Sequence, residues 1–289
     1  MKTISTILFV TGLMVTIASA QGLNFSKNEK LNQFEVQFTM YRNLIIVQGE
    51  INNQENCNFI FDTGTNGILL NDSIVKFHNL KAIGSKVIES PNGNVKEKVK
   101  SVIIPSLKFN GLNLKNIEAI AVKPQDIFSP NAIGIIGISA FNGYIITIDY
   151  QNTKLIFKKG ELKLNNNSIP IEADNILEAK INLNGKKVLA HFDCGAPGYI
   201  AIPMEWKSEL KLKSEPVLIG KGKTPGGEFE VYASQLDGEI TIGKLVLKDT
   251  QITLVTSGFP AINLGMEFFK KHSISIDGKN KLLQIESDK

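Results

Sequence analysis

One short pattern occurs twice in this chain: a hydrophobic strand that runs into Asp, one further residue and Gly. The first copy reads Phe59-Ile60-Phe61-Asp62-Thr63-Gly64-Thr65, and the second reads His191-Phe192-Asp193-Cys194-Gly195-Ala196, with the aspartates 131 residues apart. Two more landmarks repeat in the same order. The alternating segment Leu107–Leu114 matches Ile240–Leu247, each with a Gly where the chain would turn back. Gly137, Phe141 and Asp149 match Gly265, Phe269 and Asp277 at a constant offset of 128 residues. Three ordered matches at nearly one spacing mark an internal duplication.

Each copy reads mostly as strand. Asn43–Gly49 and Tyr144–Tyr150 are rich in β-branched and aromatic residues, which suit a half-buried pleated surface. Helical signals are short, one per copy: Asp72–Leu80 after the first Asp turn and Pro203–Leu212 after the second, with Pro203 at a plausible first helical position. The expected fold class is mostly β, with two similar barrel-like lobes about a pseudo-two-fold axis. The boundary falls in Gly160–Pro170, where Asn165-Asn166-Asn167-Ser168 breaks the strand pattern, giving lobes of 21–165 and 166–289.

Residues 1–20 read as a signal peptide: Lys2, an apolar run from Ile4 to about Ile17, then Ala18-Ser19-Ala20 as a small-x-small cleavage site. The run is short for a membrane span of about 20 residues, although an uncleaved anchor is the alternative. The mature chain is therefore expected to be exported, periplasmic or secreted, and free of the membrane. A net charge of +4, with 32 basic and 28 acidic residues dispersed along the chain, argues against a nucleic-acid partner.

The chemistry sits in the two Asp turns. A carboxylate at the end of an apolar strand is costly unless something compensates it. If the lobes meet about a two-fold axis, Asp62 and Asp193 face each other, and two carboxyls in contact share one proton. One then acts as general base toward a water while the other donates to a carbonyl oxygen. Such chemistry needs no metal or cofactor, and no zinc, calcium, phosphate-loop or nucleophile-elbow spacing is present in the sequence.

On these residues the chain resembles the aspartic proteases of the pepsin and retropepsin type, in particular small two-lobed bacterial aspartyl-protease-like proteins. Asp62-Thr63-Gly64 and Asp193-Cys194-Gly195 carry the resemblance, supported by Ile135-Ile136-Gly137 and Ile262-Asn263-Leu264-Gly265. It covers about Asn32–Ser287. The resemblance implies the acid-protease fold, a catalytic pair of Asp62 and Asp193, and a peptide or protein substrate. It also implies a monomer that is an internal pseudo-dimer. By position, Thr63 and Cys194 lock the turns together, Gly64 and Gly195 allow the tight turn, Thr65 bonds a catalytic carboxylate, and Ala196 is the retropepsin-like choice. Ser90-Pro91-Asn92-Gly93 and Thr224-Pro225-Gly226-Gly227 fall at equivalent places and read as hairpin tips. Asn92, Gly93, Gly226 and Gly227 are thus flap candidates, with plain surface turns as the alternative. Cys194 replaces the usual Thr or Ser, and Asn263 interrupts the apolar pair before Gly265.

Cys57 and Cys194 are the only cysteines. An exported chain would ordinarily pair them. Cys57, however, stands five residues up an extended strand from Asp62, about 16 Å at ~3.3 Å per residue, whereas Cys194 adjoins the other Asp. A disulfide needs Cα atoms within ~7 Å, so two free thiols are expected. A nucleophilic Cys194 with His191 as base is the lesser alternative. His191 itself has two readings, an interior hydrogen-bonded residue or a tuner of the aspartates' protonation. His78 and His272 read as surface residues. Besides peptide hydrolysis, two other functions fit: a degenerate scaffold that holds a peptide, and a purely structural surface protein.

Overall fold

The computed structural model describes residues 5–6, 32–89, 96–110, 112–123, 132–173, 176–224, 227–256 and 261–287. The expected signal peptide lies outside the described residues except for Ser5–Thr6, which pair in parallel with Gly220–Lys221. Asn92, Gly93 and Gly226 also lie outside them.

The described residues are mostly strand, in one sheet of thirteen strands and one of ten. The duplication is visible in the register. In the first lobe Gln54–Asp62 pairs antiparallel with Leu44–Ile51 and parallel with Gly134–Gly137, which pairs antiparallel with Ile68–Asn71. In the second lobe Lys186–Phe192 pairs antiparallel with Glu178–Leu183 and parallel with Ile262–Leu264, which pairs antiparallel with Ile200–Pro203. Each Asp turn is therefore straddled: a later strand passes between its two arms. The alternating segments form the expected hairpins, Phe109↔Leu112 in one lobe and Ile242↔Leu245 in the other.

The lobes join through Tyr144–Asp149 and His272–Asp277, which are equivalent strands of the two copies and pair antiparallel. Thr147 pairs with Ser275, its own counterpart 128 residues on, and their hydroxyls lie 2.7 Å apart. A residue that pairs with its own equivalent sits on the symmetry axis, so the pseudo-two-fold axis passes through this pair. A single apolar core, including Phe61, Phe157, Phe192 and Phe268, runs through both lobes. A second, smaller cluster in lobe 1 includes Ile46, Ile60, Leu69, Ile120 and Ile135.

Among the described residues each lobe carries one short α-helix, as expected, Asp72–Phe77 in the first and Met266–Lys271 in the second, and one 3-10 turn, Ile138–Phe141 and Met204–Glu209. The place of the second helix differs from the expectation. The first helix is capped by Asn71, whose Oδ1 accepts from the Ser73 N–H at 3.0 Å. It stops before Leu80 because Asn79 takes a left-handed conformation at φ +49°. Pro203 does not open an α-helix. It remains in the strand, paired with Val255, and a 3-10 turn follows it.

Candidate active site

Both Asp turns are built from their own backbone. Asp62 Oδ1 accepts from the Gly64 N–H at 2.8 Å, and Asp193 Oδ1 accepts from the Gly195 N–H at 2.8 Å and the Ala196 N–H at 3.1 Å. The Thr65 hydroxyl adds a bond to Asp62 Oδ2 at 2.7 Å, which Ala196 cannot match in the second turn. Asp193 Oδ2 is accordingly left buried with no donor among the described residues.

The turns interlock through Thr63 and Cys194. Thr63 Oγ1 accepts from the Cys194 N–H and donates to the Phe192 carbonyl, both at 2.8 Å. In return Cys194 Sγ accepts from the Thr63 N–H at 3.4 Å and donates to the Phe61 carbonyl at 3.6 Å. The thiol thus fills all of the hydroxyl's places with longer, weaker bonds. The carbonyls of Phe61 and Phe192 were not legible as part of this lock, because any residue supplies a carbonyl.

Gly64 and Gly195 are required by the opposite lobe rather than by their own turn. A Cβ on Gly64 would stand 2.6 Å from the Asp193 carboxyl carbon, and one on Gly195 would stand 2.8 Å from that of Asp62. Each glycine thereby lets the partner carboxyl reach the axis. The two carboxyls act on each other's ionisation, and both aspartates are fully buried.

Burial raises the pKa of both carboxyls, less for Asp62, where the Thr65 hydroxyl and the bond from Asp193 favour the ionised form. Asp193 is pushed well above the usual carboxylate range by burial and by the neighbouring Asp62 charge. The asymmetry places the shared proton on Asp193, where Oδ2 lacks another donor, and leaves Asp62 as the carboxylate. A family comparison bears on this geometry: an aspartyl protease family model matches residues 47–140 and 178–268, once over each Asp turn. The chain belongs to the aspartyl protease family. The two matched regions coincide with the duplication, so this family member carries both halves of its site in one chain. No curated protein matches the chain.

Other parts of the site were not foreseen. Gly67 N–H donates to Ser139 Oγ at 2.7 Å, and the Ser139 hydroxyl donates to Asn66 Oδ1 at 2.9 Å, bracing the first turn against the 3-10 turn that follows the strand between its arms. Ser139 has Glu267 as its counterpart in the other copy, so the duplication gave no signal for it. Each lobe also has a hairpin at the place of the flap candidates, Lys81–Glu89 with Lys96–Phe109 and Val217–Thr224 with Gly227–Gln235. Of the four flap candidates only Gly227 is described; it is exposed, at φ +124°.

Cys57 and Cys194 are both free and buried. Burial raises both thiol pKa values, that of Cys194 well above its ordinary value, which argues against a nucleophilic thiolate. Native protein is expected to resist a thiol reagent and to release two reactive thiols per chain only in denaturant. Rapid labelling of the native chain, or no thiol after denaturation, would contradict this.

His272 is a correction. It is buried rather than on the surface, because it opens the axial strand directly after Met266–Lys271; its ring lies 4.7 Å from that of Phe268, and Nε2 lies 3.4 Å from the Tyr199 hydroxyl. His191 is an interior residue whose pKa burial lowers from 6.5 to about 4. It is therefore neutral above that pH and does not tune the aspartates by charge. Between pH 6.5 and about 4 the unfolded chain binds a proton that folded His191 does not. Its contribution to stability is whole above that window and falls with acidification, by roughly 3 kcal/mol across it. In His191→Leu this acid slope should disappear from melting curves; parallel curves for the two proteins would refute the assignment.

Proposed function

We propose that the chain is an exported aspartic endopeptidase that hydrolyses peptide bonds of an extended substrate held between its lobes, with Asp62 and Asp193 as the catalytic pair. The carrying observation is the asymmetric dyad: two buried, interacting carboxyls, one with donors on both oxygens and one with an oxygen left over. Asp62, as carboxylate, takes a proton from water while the water oxygen bonds to the scissile carbonyl carbon. Asp193 gives its proton to the carbonyl oxygen, forming a tetrahedral diol. Collapse of the diol breaks the C–N bond. The amine leaves with a proton from Asp62, and Asp193 recovers its own from the diol hydroxyl.

The two hairpins act as flaps over the substrate, which lies extended and bonds to strand edges. The leader 1–20 directs export to the periplasm or the medium, and the working form is a monomer. The test is a peptide-library digest of the purified chain across pH 3–8, read by mass spectrometry. Cleavage at discrete sites is the expected result.

A second reading rests on Cys194. The thiol bonds of the lock are the long ones, at 3.4 and 3.6 Å, and a looser lock suits a scaffold that holds a peptide without cutting it. Under that reading the wild-type chain is folded and inactive, and Cys194→Thr restores cleavage.

A further inference from the structure

The two lobes differ along one row of residues beside the dyad. In lobe 1, five neighbouring strands place Ile46, Ile60, Ile135, Leu69 and Ile120 side by side in register. In lobe 2 the residues in the same register are Glu178, His191, Asn263, Ala201 and Thr253. Directly paired residues share a face of the sheet, as do residues two apart on one strand. Ile60 precedes Asp62 by two positions and His191 precedes Asp193 by two. Each row is therefore on the dyad side of its sheet, opposite the core face to which Phe61 and Phe192 belong. An apolar row flanks one aspartate and a polar row flanks the other.

The polar row is not there for folding. Every member of the lobe 1 row is between 0% and 7% exposed and forms an apolar cluster, so the fold accepts aliphatic residues at these places. Asn263 takes the place of Ile135, is 8% exposed, and its Oδ1 is buried with no donor among the described residues. A buried acceptor without a partner is destabilising, and it calls for an incoming donor. Phe229, Val231 and Val255 cluster with Ala201 toward the far end of the row, which leaves His191 and Asn263 as the part nearest Asp193. Glu178, one strand beyond His191, adds a carboxyl group to the same row.

We propose that His191 and Asn263 are specificity-determining residues. On the side of the scissile bond that meets lobe 2 they select a polar side chain carrying a hydrogen-bond donor (amide, hydroxyl or amine), while the lobe 1 row, packed in its own apolar cluster, offers no polar group on the other side. This rests on the peptidase reading of the dyad. An apolar side chain against lobe 2 leaves the Asn263 oxygen unpaired in a closed site, and sites built to hydrogen-bond a substrate reject analogues that lack the group.

The experiment uses peptides in which a non-hydrolysable hydroxyethylene unit replaces the scissile bond, with Leu, Phe, Gln or Lys placed on either side in all combinations. Each is titrated into the full chain and into Asn263→Ile by calorimetry, with His191→Leu as a second variant. The expected tightest ligands carry Leu or Phe on one side and Gln or Lys on the other, about 10-fold tighter than the doubly apolar peptides. Asn263→Ile should reverse the preference on that one side and leave the other unchanged. A wild-type preference for apolar groups on both sides, a ranking unmoved in both variants, or no binding by any peptide would overturn the proposal. The peptidase reading fails by a different result, hydrolysis that persists in Asp62→Asn, on which the ranking of these ligands does not depend.

Discussion

Replacing Asp62 or Asp193 with Asn is expected to lower peptide hydrolysis by about 10²–10⁴-fold in a chain that still folds. The two lesions differ in kind. Asp62→Asn removes the carboxylate held by Gly64 and Thr65, and with it the base. Asp193→Asn keeps a hydrogen-bonding group on the backbone of Gly195 and Ala196 but removes the transferable proton. The wild-type pH profile should be a bell. It falls on the acid side as Asp62 takes up a proton and on the alkaline side as Asp193 loses its own, and because both pKa values are raised it should sit above the ordinary aspartate range. Undiminished kcat/KM in either variant would remove the dyad from the mechanism.

The same substitution at Asp193 has a consequence for stability, with the sign set by linkage. Folded Asp193 keeps a proton that the unfolded chain releases above about pH 3.9. Its contribution to stability is therefore full below the unfolded pKa and is lost as pH rises through the folded one. Asn has no proton to lose. Asp193→Asn should melt at a higher temperature than wild type at pH 7 and at the same temperature near pH 3. Coincident melting at every pH would show that burial of this carboxyl is not the stored cost described above.

Gly137→Ala is expected to destabilise the fold by about 3 kcal/mol or more, a large part of the 5–15 kcal/mol typical of a folded domain. Gly137 has an ordinary extended backbone, φ −84° and ψ 165°, so conformational freedom is not the reason for glycine there. Space is. Its N–H donates to the Gly67 carbonyl at 2.7 Å, and a Cβ would fall 1.9 Å from the Thr65 carbonyl oxygen. Those atoms are backbone of the Asp turn itself and cannot swing aside. Gly64→Ala should behave differently, since its Cβ meets the Asp193 side chain: a folded chain with a displaced dyad and no hydrolysis. Expression, melting temperature and cleavage measured on both variants check the distinction. A soluble Gly137→Ala melting like wild type would refute it.

These glycines also show how far a sequence can be read. Gly137 and Gly265 were legible as repeating landmarks, but the need for them appears only when a later strand is seen passing between the arms of each Asp turn. The duplication itself was legible because both copies keep the short-range pattern of an apolar strand, Asp and Gly. His272 was misplaced because a lone histidine between lysines and serines has no period that marks it as buried; Phe268 and Tyr199, from other elements of its own lobe, pack beside its ring. Likewise the helix after Asp72 was drawn too long, since the left-handed turn at Asn79 is invisible to apolar spacing.

The residue order alone determined that there are two like lobes, mostly strand, each offering one aspartate in a glycine turn, because these depend on contacts close along the chain. Tertiary structure decided what the two copies do differently. It made Thr63 and Cys194, 131 positions apart, exchange backbone partners across the axis, and it set an apolar row beside one carboxyl and a polar row beside the other. Those differences arise between residues on separate strands, where only strand pairing brings one side chain against another.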